Sequence, residues 1–90
     1  MAHKSQDELA QDLEKATKQV VVGGTYVHFK SPTMRYRIID LAINTDDSSV
    51  CVVYRALYGR QILFIRSIDQ WLDEVDSEGR KVKRFTLVKG

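Results

Sequence analysis

The chain reads as a mainly β protein: a small, strongly bent sheet or barrel of about five short strands, with a helix at its N-terminus and a helical turn before the last strand. Three observations predict this. One apolar stripe with helical spacing runs through the first twenty residues and stops at Gly23-Gly24. Beyond that break, short runs rich in Val, Ile, Tyr and Phe alternate with turn residues. Between Ile68 and Val75 the apolar spacing turns helical once more before a final β-rich run.

The first helix is expected over residues 5–20. Ser5 and Glu8 have the spacing of a capping box, which satisfies free amides at a helix start. Leu9, Leu13, Ala16 and Val20 recur at steps of three and four, and Glu14 with Lys18 adds an exposed pair. The stripe is narrow, suited to docking on the domain or on a second copy. We therefore divide the chain into an N-terminal extension, residues 1–23, and a β domain, residues 24–90.

In "TYVHFK", residues 25–30, alternation sets Val27 and Phe29 on one side and Tyr26, His28 and Lys30 on the other. A turn is expected at Ser31–Met34, where Pro32 presets φ, and "RYRIIDLAI" then supplies the partner strand. "NTDDSS", residues 44–49, is a polar loop. Val50–Tyr58 and Ile62–Arg66 are the third and fourth strands, joined through Gly59. Ser67 and Gln70 repeat the capping-box spacing ahead of Ile68, Trp71, Leu72 and Val75. "DSEG" turns the chain, and Arg80–Val88 is the last strand.

Several function classes fall away. The 90 residues make one domain, and fourteen basic against twelve acidic residues give a net charge of +2, too mild to imply nucleic acid by itself. Charge is blocked, however: residues 69–78 carry five acids and no base, and residues 80–84 carry four bases and no acid. A solvated strand–turn–strand is the expected use of such blocks. Cys51 is the one cysteine and His3 and His28 the two histidines, so neither a disulfide nor a Cys/His zinc site is expected. No run is long and apolar enough to span a membrane, and the first residues have no apolar signal-peptide core. A cytoplasmic location without cofactor follows as the expectation. No phosphate loop, nucleophile elbow or metal-ligand spacing occurs, so no catalytic residue is assigned.

The central run "VVYRALYG", residues 52–59, resembles a bacterial family known as domain of unknown function 1653. The likeness extends from about Gly24 to Val88. It is carried by Tyr26, His28, Lys30 and Tyr36, by Val53 to Gly59, and by Arg66, Val75, Gly79, Val82, Arg84 and Phe85. The chain departs from the family pattern at Phe64 and Ser67, where tryptophan and proline are usual, and at Trp71, where phenylalanine is usual. It also lacks a glutamate after the polar loop. The resemblance implies a compact SH3-like β-barrel and no activity.

Candidate binding residues form two groups. Arg55 sits at the centre of an apolar strand. It is either a structural charge paired with a carboxylate, with Asp40 the favoured partner, or a ligand-facing charge beside Arg66 and Phe64. The choice depends on whether the polar loop is even and whether a bulge intervenes. Tyr58, ahead of Gly59, is expected at the rim. In the first hairpin a four-residue turn would oppose His28 to Arg37 and Lys30 to Arg35, with Tyr26 on the same face. A basic, aromatic surface of this kind suits an unidentified protein partner or, as the alternative, RNA or single-stranded nucleic acid. Trp71 and Cys51 read as core. The leading expectation is a small non-catalytic binding module, with self-association through the N-terminal helix a further use.

Overall fold

The computed structural model describes residues 4–90; His3 lies outside them. Helix α1 spans Gln6–Thr17, and the chain continues through β1 (Thr25–His28), β2 (Ser31–Asn44), β3 (Ser49–Ala56) and β4 (Leu63–Ser67). The short helix α2 (Ile68–Trp71) leads to β5 (Glu74–Ser77), β6 (Arg80–Lys83) and β7 (Phe85–Lys89). β4, β3, β2, β1 and β7 form one antiparallel sheet in that order, and β5 with β6 forms a separate hairpin.

The protein is mainly β, as expected, but the sheet does not close into the barrel that the resemblance implies. β4 and β7 are its two edges. Between them in sequence the chain detours through α2 and the β5–β6 hairpin, and Trp71 of α2 is buried in the core. Trp71 stacks on Phe85 at the start of β7, with ring centres 3.8 Å apart and planes 5° from parallel.

The first capping box forms in full, and at the second Ser67 caps the helix without the reciprocal bond from Gln70. Ser5 Oγ accepts from the Glu8 amide and Glu8 Oε1 from the Ser5 amide, while Ser67 Oγ accepts from the Gln70 amide. α1 ends at Thr17, earlier than its apolar stripe, with Lys18 as the cap. Its Ala16 is buried, whereas Leu9 and Leu13 are only half-buried. Val20, beyond the helix, joins the core with Tyr26, Ile38, Val52, Tyr54, Trp71 and Phe85. Residues 18–23 are further tied to the sheet: the Val21 amide donates to Tyr26 Oη, and the Gly23 amide to the Ile38 carbonyl.

Three irregularities set the register. First, the hairpin turn lies at Phe29-Lys30, with His28 opposite Ser31, not at Ser31–Met34. The Lys30 amide donates to His28 Nδ1 and closes it. Pro32, Thr33 and Met34 bow out before pairing resumes at Val27–Arg35, as befits a proline that has no N–H for the ladder. Second, a bulge at Ile39 lets Ile38 and Leu41, three apart, both face inward. Third, Ala56 donates to the Ile62 carbonyl, leaving an odd five-residue connection, residues 57–61, before β4.

The acidic and basic blocks form the strand–turn–strand anticipated for them, now seen as β5–β6. Glu74 faces Lys83 and Asp76 faces Lys81. The Asp76–Lys81 ion pair at 3.5 Å is fully solvated and contributes little. The last expected strand is accordingly split at Arg84.

Candidate functional site

The register divides the sequence-derived candidates between the two faces of the sheet. Arg37 pairs with Arg55, and Arg55 with Leu63, so these side chains share the outer face; Arg35 joins them opposite Val27. Tyr54 pairs with Phe64 and Val52 with Arg66, which sets Phe64 and Arg66 on the inner face with the core. Arg55 and Arg66 therefore do not share a face, because the five-residue connection has odd length. Nor does Arg55 meet Asp40. The bulge at Ile39 moves Arg55 from Ile38 to Arg37, and its Nη1 instead donates to the Gln61 carbonyl at 2.9 Å. Asp40 accepts from the Leu41 amide.

The first hairpin is corrected in the same way. His28 faces Ser31 and not Arg37, and Lys30 is in the turn and not opposite Arg35. Tyr26 leaves the proposed basic surface altogether. It is buried edge-on to Trp71, its hydroxyl held by the Val21 amide.

What the inner face does bring together is His28, Tyr58 and Arg66, around rings not among the sequence-derived candidates. Phe85 is the hub. The Arg66 guanidinium lies 5.5 Å from its ring centre, His28 meets it edge-on at 5.1 Å, and Tyr36 at 5.8 Å. Tyr36 also contacts Tyr54 and Tyr58 edge-on, both at 5.5 Å, and Phe64 lies against Tyr54. The Tyr36 and Tyr58 hydroxyls share a hydrogen bond of 2.7 Å. β1, β2, β3, β4 and β7 each supply at least one of these groups, so the cluster spans the whole sheet.

Arg66 Nε donates to Tyr54 Oη at 3.4 Å, a long and weak bond. Among the described residues its terminal nitrogens have no acceptor, and no carboxylate forms an ion pair with it. Arg84 stands nearby, its Nη2 3.6 Å from Asp73 and its buried Nε without an acceptor. Burial, followed by the charges of Arg66, Arg84 and Lys30, lowers the pKa of His28 below the usual histidine value. Burial and the bond from Tyr58 push Tyr36 up to about 12, with Arg66 opposing. The first shift is mainly one of burial, to which the three cations add, and the second keeps the Tyr36 phenol protonated.

Phe64 was expected beside Arg66, and it is there; Tyr36, Tyr54, Arg84 and Phe85 are the members that sequence reasoning missed as site residues. All four are among the residues that carry the family resemblance, and that is the signal that points to them. The larger hollows lie elsewhere. An open groove of about 600 Å³ between α2 and the β5–β6 hairpin carries both signs of charge, from Asp69, Asp73, Glu74, Lys81 and Lys83. No group of acidic, histidine or cysteine side chains suited to a metal ion occurs among the described residues, and no helix there is long and apolar enough to cross a membrane.

Comparison with known proteins agrees with this architecture. The family described as "Protein of unknown function (DUF1653)" matches residues 24–87. A crystal structure of a DUF1653 protein from Bordetella bronchiseptica is 30% identical, with a TM-score of 0.67, over 79% of this chain and 91% of that one. No curated protein matches the chain. The chain belongs to the DUF1653 family.

Proposed function

We propose that this DUF1653 protein is a non-catalytic binding module that takes an anionic group of its partner at Arg66, on the inner face of the sheet. One observation carries the reading. A partly buried guanidinium lies against Tyr54 and Phe85, yet among the described residues its terminal nitrogens have no carboxylate to meet. Structural arginines of this burial are normally neutralised from within the protein. Lys30 and Arg84 add positive charge to that of Arg66 around His28. The Tyr36–Tyr58 pair adds hydroxyls at the rim. A phosphate or carboxylate suits such a planar donor.

Titration of the His28 ring by NMR tests this, with inorganic phosphate as the probe. A bound anion offsets the local positive field, so phosphate should raise the His28 pKa, and Arg66→Gln should abolish the rise. A His28 pKa that ignores phosphate, or responds equally in Arg66→Gln, overturns the reading.

A second reading rests on the exposed rings of Tyr58 and Phe64, which flank the Tyr36–Tyr54 pair. They make the anionic partner a single-stranded nucleic acid, stacked on the rings with a phosphate at Arg66. Binding of a short oligouridylate should then weaken steeply with salt and be reduced in Tyr58→Ala. Salt-insensitive or absent binding removes this version while leaving the phosphate experiment to decide the first.

A further inference from the structure

We infer that the β4 edge is a self-association surface, and that its occupant is β4 of a second copy, running antiparallel about a two-fold axis at Phe64. The inference does not depend on the anion site.

The free edge can be read from the ladder. Because Ala56 donates to the Ile62 carbonyl, antiparallel alternation turns the backbone groups of Ile62, Phe64 and Arg66 toward β3. Those of Leu63 and Ile65 face the open edge, since β4 has only β3 as a neighbour. Natural sheets protect such edges with charge, proline or a bulge. Residues 62–65 have none of these. They read Ile-Leu-Phe-Ile, and exposures of 55% for Ile62, 47% for Leu63, 41% for Phe64 and 67% for Ile65 leave apolar surface on both faces.

The same strand complements itself in one register. With Phe64 on the axis, Leu63 of each copy faces Ile65 of the other, and each such pair exchanges both of its outward backbone bonds. Phe64 meets its own counterpart, so apolar groups meet apolar groups at every central position. Arg66 falls opposite Ile62, and no like charges are opposed. Sliding the axis to Ile65 sets Phe64 against Arg66 and Leu63 against Ser67. Sliding it to Leu63 brings Gln61 into the ladder, where its φ of 55° does not fit a strand.

The size of the patch sets the strength. At about 190 Å² for a whole side chain of this class, the four residues expose on the order of 400 Å² per copy. Twice that lies below the standard interface, in the range of weak, reversible contacts. The dimer is therefore one that forms at high micromolar concentration.

Sedimentation equilibrium of the full chain tests this from about 10 µM to about 1 mM, where an interface this small associates. The weight-average mass should climb toward twice the 10.3 kDa of one chain, and Ile65→Lys, at the most exposed position, should hold it at the single value. Phe64→Cys should cross-link on mild oxidation, because facing residues at such a position lie about 4.5 Å apart at Cα. Ile65→Cys, which would face Leu63, should not. A mass that stays at one chain throughout, or association that survives Ile65→Lys, overturns the inference. Association lost in Leu13→Lys also overturns it, by assigning the contact to α1. Failure of Phe64→Cys to cross-link overturns the register.

Discussion

Cutting the chain at two nearby points should separate a dispensable helix from a structural strap. Removal of residues 1–17 takes away the buried Ala16 and the half-buried Leu9 and Leu13, but leaves Val20 and everything after it. That loss is small, about 1–2 kcal/mol, for one alanine and partial burial of two leucines. Removal of residues 1–23 also deletes Val20 from the core, worth about 1.5–3 kcal/mol. It further strips the Tyr26 hydroxyl and the Ile38 carbonyl of the Val21 and Gly23 amides, at about 1 kcal/mol each. The second truncation should thus be about 3–5 kcal/mol less stable than the first, a large part of the ~5–15 kcal/mol that holds a domain together. Urea denaturation followed by far-ultraviolet dichroism measures the gap. With a slope of about 1 kcal/mol per molar, the midpoints should lie at least ~3 M apart, if the shorter protein folds at all. Equal midpoints would refute the argument, as would loss of cooperative unfolding in the protein that lacks only residues 1–17. We accordingly set the severable part of the extension at residues 1–17.

Three further outcomes are expected. Folded His28 resists protonation, so the unfolded chain takes up its proton first; this contribution to stability is complete above the ordinary value of 6.5 and falls as pH drops through it. His28→Gln should flatten that part of the stability profile, and parallel profiles for wild type and variant would contradict the assignment. Tyr58→Phe removes a hydrogen bond that raises the Tyr36 pKa, and ultraviolet titration should show Tyr36 ionising below about 12; an unchanged value would leave burial as the whole cause. A Cβ on Gly24 would come within 2.9 Å of both Leu87 Cδ1 and the Val21 carbonyl oxygen, so Gly24→Ala should cost about 1–3 kcal/mol in the same urea assay.

Local rules reached the elements and stopped at the register. The Ser5–Glu8 capping box, the Ser67 cap, the Gly23-Gly24 break and the burial of Trp71 and Cys51 depend on near neighbours in sequence, and each was legible there. The charge blocks likewise foreshadowed the β5–β6 hairpin. Face assignment depends on counting residues between strands, and three local irregularities defeat the count. Pro32, Thr33 and Met34 bow out of the first hairpin, Ile39 bulges, and the β3–β4 connection is odd. Each reverses parity, and so Arg55 parted from Arg66 and Tyr26 from the arginines. His28, Tyr58 and Arg66 were legible singly as candidates, but the meeting of His28 and Arg66 at Phe85, with Tyr58 joined to it through Tyr36, was not. Phe85 begins β7 only after a hairpin whose path local pattern does not determine. The open edge at β4 was hidden for the same reason, since the family resemblance implied closure.

The stack of Trp71 on Phe85 has a consequence for observing this molecule. The chain has one tryptophan, and the ring on which it lies is the ring that Arg66 and His28 touch. An indole buried against Phe85, with Tyr26 and Tyr54 edge-on to it, is shielded from water. Its excited state is sensitive to any tilt of that partner or any change in the charge behind it. A change at Arg66 is thereby one ring away from a single chromophore, and tryptophan emission should register it with no label attached.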